Sequence, residues 1–275
     1  MLLPSKATQM KDVDLNQLAY FWYGSPGIGK TVLVSGFVGA RPKEMPLYLY
    51  TSPCKYVHAY KKAIPDWPTF KKSVETLARR KPKIYSHIAV DVIDHIWTHC
   101  RDFTCDKHGI EHEGDMAHGK GWDLVKKEFI PVVAKLVTLG YGVSFISHAK
   151  TIETRGRGIT TRKIVPTIQN GGYQIVLPIC YVEGYLGFDA EDADDPQHSK
   201  TSGRRKIFFE PTETLDAKDW TGLLPRFIRS DPDPKVTCAE ITAYLTGEKV
   251  AKQNRPARAP AKKRTGRRVV RRASR

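Results

Sequence analysis

The sequence has no apolar run of about 18 residues or more, so none of its 275 residues is expected to cross a membrane as a helix. It opens without a signal-peptide pattern, because the apolar start at Met1 is short and a polar stretch follows to Asp12; a cytoplasmic protein is the expectation. Cysteine is scarce. Cys54, Cys100, Cys105, Cys180 and Cys238 are odd in number and scattered, which argues against a disulfide framework. Internal repeats are absent. Acidic residues are missing from Lys249 to Arg275, a stretch that holds twelve Lys or Arg. The first 248 residues carry 33 basic and 29 acidic side chains, so most of the net charge of +16 sits in the last tenth of the chain. That tail is also poor in large apolar residues and cannot bury enough surface to offset its ordering entropy. The reading is one large domain over 1–248 and a disordered basic tail over 249–275. Lys262, Lys263, Arg264, Arg267 and Arg268 are its candidate contacts to a polyanion; the alternative is a solubilising tail with no partner.

What is present is an alternation of strands and helices. Leu18 to Tyr23 is short, apolar and aromatic, and reads as a buried strand. A glycine-rich loop follows at once, then a helix over Thr31 to Val38 that halts near Gly39. Further strands are expected at Pro46 to Thr51, Ile84 to Asp91 and Tyr141 to Ser147. Helices are expected at Phe70 to Arg80, from Val92 to Cys100, and from Trp122 to Leu139 with a kink at Pro131. Arg101 to Gly121 is polar and reads as a loop or excursion. Beyond Ala149, Lys150 to Lys163 is polar and basic, Gln174 to Phe188 is apolar, and Arg204 to Glu210 reads as a strand pairing with Tyr181 to Phe188. Glu240 to Leu245 reads as a short closing helix. Strands alternating with helices indicate an α/β fold with a mostly parallel sheet covered on both faces.

The loop Gly24-Ser25-Pro26-Gly27-Ile28-Gly29-Lys30-Thr31 meets every fixed position of G-x-x-x-x-G-K-[ST]. From average residue usage a chance match in a chain this long has odds of about one in a hundred, so a glycine turn that binds nothing is the weaker reading. Glycines let backbone N–H groups turn inward around phosphates, and the following helix adds its N-terminal dipole. Lys30 is expected to reach the β- and γ-phosphates of ATP, and Thr31 to ligate magnesium through its hydroxyl. A carboxylate at the end of a neighbouring buried strand completes a magnesium site. Asp91 fits, since a buried acid is costly without a partner; capping the helix that follows is the alternative. Asp94 could position the attacking water or cap the same helix, and Glu44 is a weaker candidate. His148, with Ser147, ends the fourth strand at the same crevice and could sense the γ-phosphate, or be an ordinary strand-end histidine.

The segments YGSPGIGKT, IAVDVIDHIW, GIEHEGDMAHGKGW, YGVSFISHAK, RKIVPTI and LDAKDWTGLLPRFI, with the helix ending at Leu139, together resemble phage-encoded RecA-like P-loop ATPases of the single-strand annealing or recombination type, an AAA-type phage nucleotide-binding family. The similarity covers roughly residues 15 to 230. It implies a RecA-type core, ATP and Mg2+ as cofactors, single-stranded DNA as ligand and self-association into a ring or filament, with a single-strand-binding protein as a further candidate partner and no membrane. By the same match Lys30, Thr31, Asp91 and His148 take the nucleotide roles. One departure counts against strong hydrolysis. Relatives of the RecA type often carry an acidic residue just after the second strand, and here Thr51-Ser52-Pro53 stands there.

The resemblance also assigns DNA contact to the segment after the fourth strand. It carries Lys150, Arg155, Arg157, Arg162 and Lys163, with Glu153 as its single acid and no aromatic residue. Mobile guanidinium groups can follow a phosphate backbone; the alternative is a solvated hairpin. A second basic group, Lys200, Arg204, Arg205 and Lys206, could touch DNA or reach a neighbouring subunit's γ-phosphate, with Arg226 a weaker candidate for the latter. Cys100, Cys105, His108 and His112 fall within thirteen residues and form a candidate zinc set, with the cysteine spacing at the edge of the usual range; Cys100 also suits a helix core. The leading expectation is a DNA-stimulated ATPase that promotes annealing or recombination. Its rivals are an annealing module in which nucleotide controls assembly with little turnover, and, last, a helicase-type or loader motor.

Overall fold

The computed structural model describes residues 18–39, 44–52, 54, 56–156, 159–188 and 205–250. In chain order the strands are β1 (Ala19–Gly24), β2 (Leu47–Tyr50), β3 (Tyr60–Ala63), β4 (His87–Asp91), β5 (Gly142–Gly156), β6 (Ile159–Pro166), β7 (Val182–Phe188), β8 (Arg205–Phe208), β9 (Lys218–Asp219) and β10 (Phe227–Arg229). The helices are α1 (Lys30–Val34), α2 (Trp67–Arg79), α3 (Ile93–His108), α4 (Lys120–Val137), α5 (Asn170–Ile179) and α6 (Pro234–Leu245). The sheet order is β10-β8-β7-β1-β5-β4-β2-β3. Strands β3 to β7 along that path are mutually parallel, while β8 and β10 are added antiparallel at the β7 edge.

Alternation along β1 explains why both faces of the sheet are covered. Ala19, Phe21 and Tyr23 join one apolar cluster with α2, α3, α4 and α5, whereas Tyr20 and Trp22 join a second with α1 and α6. A central strand with two buried faces loses the usual alternation of polar and apolar residues and reads as a continuous apolar run. Polar groups between the helices and the sheet pair with one another: Ser144 on β5 accepts from the Trp22 indole at 2.9 Å and sits 2.7 Å from His87 Nε2. Burial holds His87 neutral, with its pKa down at about 3.

The expected fold class and the β7–β8 pairing stand, the latter with Leu186 opposite Ile207. Several local expectations do not. The helix after the loop stops at Val34, because Gly36 closes against α6: a Cβ there would sit 2.2 Å from the Pro234 carbonyl oxygen. Arg101 to His108 is not a loop but the second half of α3, whose buried side carries Cys100, Thr104 and Cys105, and left-handed Gly109 (φ 63°) ends it. The exposed lysine-bearing edge strand β3 has no apolar pattern to give it away. The helix expected from Trp122 to Leu139 does form, as α4, with Pro131 inside it on the exposed side. The fourth strand does not end at Ser147 or His148. It runs on to Gly156 and pairs antiparallel with β6, so the basic segment is a two-stranded ribbon. No helix among the described residues is long and apolar enough to cross a membrane. The tail over 251–275 lies outside the described residues.

The ribbon is rooted in the sheet. Ile164 N–H donates to the Thr214 carbonyl at 2.7 Å, and Lys163 pairs with Asp216 at 2.7 Å. The Tyr23 hydroxyl donates to the Asp216 carbonyl. Close by, buried Glu183 on β7 accepts from the Tyr173 hydroxyl at 2.7 Å.

Candidate functional site

β1 delivers the loop to the carboxyl edge of the parallel strands, where β5 and β4 lie beside it. Chain order reverses beside β1, the place at which open α/β sheets bind ligands. Gly24 must be glycine, since a Cβ would fall 2.4 Å from the Leu186 carbonyl oxygen of β7. Gly27 (φ 78°) and Gly29 (φ 106°) occupy left-handed conformations that glycine adopts without steric cost. Ser25 and Pro26 are exposed and Ile28 is buried, anchoring the loop on the second apolar cluster. The buried Lys30 ammonium donates to the carbonyls of Gly24 at 2.8 Å and Ser25 at 3.0 Å. Desolvation lowers its pKa to about 8, against the opposing pull of Asp91 and Asp94.

Two strand ends bring the remaining groups. Thr31 donates its hydroxyl to Asp91 Oδ2 at 2.7 Å. Burial raises the pKa of Asp91, and that hydrogen bond, with the charge of Lys30, works in the other direction. The register puts Gly24 beside His148, and His148 Nδ1 lies 3.4 Å from Lys30 Nζ. An ammonium has only donors, so Nδ1 must accept and Nε2 carries the ring's proton. Burial, then the Lys30 charge, depresses the His148 pKa, so His148 presents a neutral N–H donor beside Lys30. An open cleft of about 290 Å³ runs along these residues and is lined also by Ser52, Cys54, Tyr56 and Val57. A hydroxyl and a carboxylate already within hydrogen-bond reach suit magnesium, a hard cation that takes one or two protein oxygens and otherwise phosphates and water. Thr31 and Asp91 would hold it; bound there, it would neutralise charge on the phosphate oxygens.

A family model described as AAA domain matches residues 16–221. The chain belongs to the AAA domain family. As a member it is a nucleotide-binding P-loop ATPase, and ATP with Mg2+ is the ligand pair that this family implies. No curated protein matches the chain.

Within this AAA domain the other sequence candidates fall unevenly. Asp94 Oδ1 accepts from Ser147 at 3.1 Å and from Thr167, just past β6, at 2.5 Å. Its buried Oδ2 accepts nothing among the described residues. Asp94 therefore ties the ribbon's root to the strand end that carries Asp91. Glu44 precedes β2, at the end of that strand remote from Asp91. On the ribbon, Lys150 and Arg162 are exposed, Arg162 pairs with Glu153 at 2.8 Å, and Lys163 is spent on Asp216. Arg157 and the side chain of Arg155 lie outside the described residues, as do Lys200, Arg204 and the tail cations Lys262, Lys263, Arg264, Arg267 and Arg268. Lys206 lies over the Phe227 ring at 4.6 Å, and Arg226 is exposed.

The zinc set is not assembled. Cys100 is in the apolar core, its thiol 3.8 Å from the Val125 carbonyl; Cys105 faces Glu113; His108 is exposed at the end of α3; and His112 Nδ1 accepts from the Gly114 N–H. Burial raises both thiol pKa values, opposite to what a thiolate ligand needs. Among the described residues no three His, Cys, Asp or Glu side chains converge on a metal position.

Sequence reasoning missed Thr167 and misplaced Arg205. The Arg205 guanidinium donates to the Ile28 carbonyl at 3.0 Å and sits 2.6 Å from where a Gly29 Cβ would be. It braces its own phosphate loop. The β7–β8 pairing could have signalled this, since it returns Arg205 opposite Phe188 at the strand edge beside β1.

Proposed function

We propose that this ATPase binds single-stranded DNA along the β5–β6 ribbon, hydrolyses ATP faster when that strand is bound, and so promotes annealing or homologous recombination of phage DNA as a self-associating ring or filament. The observation that carries the reading is continuity. β5 passes His148, beside Lys30, and becomes the ribbon within two residues. The ribbon's return strand then closes on Asp94 through Thr167, whose N–H also donates to the His148 carbonyl at 2.8 Å. A phosphate backbone pulling on exposed Lys150 and Arg162 therefore acts on a strand that touches the nucleotide residues, and the tail cations add charge for the same ligand. His148 supplies the donor that registers the γ-phosphate, Lys30 the charge, and Thr31 with Asp91 the magnesium position.

A second reading has its own support. Thr51 and Ser52 stand where a water-activating acid is expected after β2, which favours an annealing protein in which nucleotide governs assembly with little turnover. The test is the ATPase rate of the pure protein with and without a single-stranded oligonucleotide, beside Lys30→Ala. A stimulated rate that the variant lacks supports the first reading. ATP and DNA binding without turnover supports the second. DNA affinity should also fall with salt, at a slope of about −0.7 per phosphate neutralised; affinity indifferent to salt would refute the ribbon and tail as the binding surface.

A further inference from the structure

The β2 end lacks a carboxylate but not a polar group. Tyr50 is the register partner of Asp91, so Thr51 borders the phosphate end of the sheet. Its hydroxyl oxygen lies 2.9 Å from Nδ1 of His95, on the first turn of α3, and accepts from the Val92 N–H at 3.1 Å. The hydroxyl's own proton has the Asp91 carbonyl at 3.4 Å. In the tautomer whose Nδ1–H donates to Thr51, Nε2 keeps its lone pair. His95 is exposed and therefore open to water. It also lies near enough to Asp91 and His148 to act on the charge of each. The neighbouring acid, Asp94, has Oδ1 committed to Ser147 and Thr167.

We propose that His95, oriented by Thr51, is the residue that positions the attacking water and takes its proton. The assignment deepens the hydrolytic reading above and rests on it. In the step, the water oxygen bonds to the γ-phosphorus as the bond to the β–γ bridging oxygen breaks, and that electron pair leaves with ADP. The proton given up by the water passes to Nε2 of His95 and then to solvent. A histidine from α3 would thus occupy the place that an acid after β2 fills in other P-loop enzymes.

The test uses the full chain with a single-stranded oligonucleotide, and measures steady-state hydrolysis, binding of a fluorescent ATP analogue and melting temperature. His95→Ala should lower kcat by about 10²-fold or more, the usual scale for a lost general base, with KM and analogue affinity within about threefold. Free imidazole should restore part of the rate. Thr51→Val, which removes only the orienting hydroxyl, should cost about tenfold, and His95→Gln should fold equally well and stay slow. A His95→Ala rate within about twofold of the unmodified protein would overturn the assignment while leaving the ATPase intact. So would a loss of kcat matched by an equal loss of ATP affinity without imidazole rescue. An unmodified protein that binds ATP and never turns it over would remove the hydrolytic reading first, and this assignment with it.

Discussion

At the phosphate end of the sheet, the polar groups are buried or half-buried and already engaged with one another: Lys30 with two loop carbonyls, Thr31 with Asp91, His148 with Lys30. On the ribbon the charges are exposed, and the Arg162–Glu153 pair faces solvent, where such pairs contribute little. The first region is organised before its ligand arrives, so a single side chain there should matter greatly. The second acts through summed charge, so single substitutions should matter little and salt a good deal. Lys30→Ala tests the first half of the contrast most sharply. It removes the buried cation of the phosphate loop, and turnover should fall by about 10²–10³-fold or more, the scale for losing a preorganised charge donor, with the melting temperature little changed. The pH dependence of the unmodified protein gives a companion result. Lys30 loses its proton in the free protein at about pH 8, and ATP requires the charged form. Affinity should therefore decline above that pH, by up to tenfold per pH unit, because binding must then take up a proton. Affinity flat from pH 7 to 9.5 would show that Lys30 is charged throughout.

The hinge between the two regions is the next target. Thr167→Val keeps the volume and deletes the hydroxyl that joins β6 to Asp94. If the ribbon speaks to the nucleotide through that joint, DNA stimulation should fall severalfold while the basal rate and DNA affinity hold. Stimulation at the unmodified level would place the communication elsewhere. Arg205→Ala should act on ATP binding rather than on this coupling. It loses one charge-assisted hydrogen bond to the loop, about 1.5 kcal/mol, so KM for ATP should rise up to about tenfold with kcat little altered. Lysine should not substitute well, lacking the planar fork.

The same contrast explains what the sequence made legible. Gly24 to Thr31 is a local pattern whose chemistry depends on backbone conformations of neighbouring residues, so it can be read without the fold. Asp91 could be read because a buried apolar run ends in an acid. The β7–β8 pairing followed from two apolar segments of matched length. What escaped depends on long-range closure. Thr167 meets Asp94 across 73 residues and Arg205 meets Ile28 across 177, and no local pattern announces either. His95 was hidden differently: it looks like one more polar residue on an exposed helix face until the β2–β4 register brings Thr51 beside it. The ribbon was legible only as the hairpin alternative, because its charges masked the alternation of Thr and Ile that supports strand pairing.

The last test lies where the two regions meet the core. Glu183 is buried on β7, hydrogen-bonded by Tyr173 and faced by Asp216, Lys218 and Lys163. Desolvation is the largest cause that raises its pKa from 4.5 to about 7. An acid raised in this way keeps its proton in the folded protein after the unfolded chain has released its own. Its contribution to stability is therefore complete below about pH 4.5 and is lost as pH rises through 7, amounting to about 3 kcal/mol at most. Glu183→Gln still offers an oxygen to the Tyr173 hydroxyl and cannot ionise. Denaturant unfolding at pH 5 and pH 8 should show the unmodified protein losing stability between the two and the variant losing distinctly less. Because Lys163 on the ribbon pairs with Asp216, beside this carboxyl, ionisation of Glu183 places a second negative charge at the ribbon's root. If the variant and the unmodified protein lose equal stability between those pH values, Glu183 is ionised in the fold at both, and the ribbon's root is held by a charged network rather than by a neutral one.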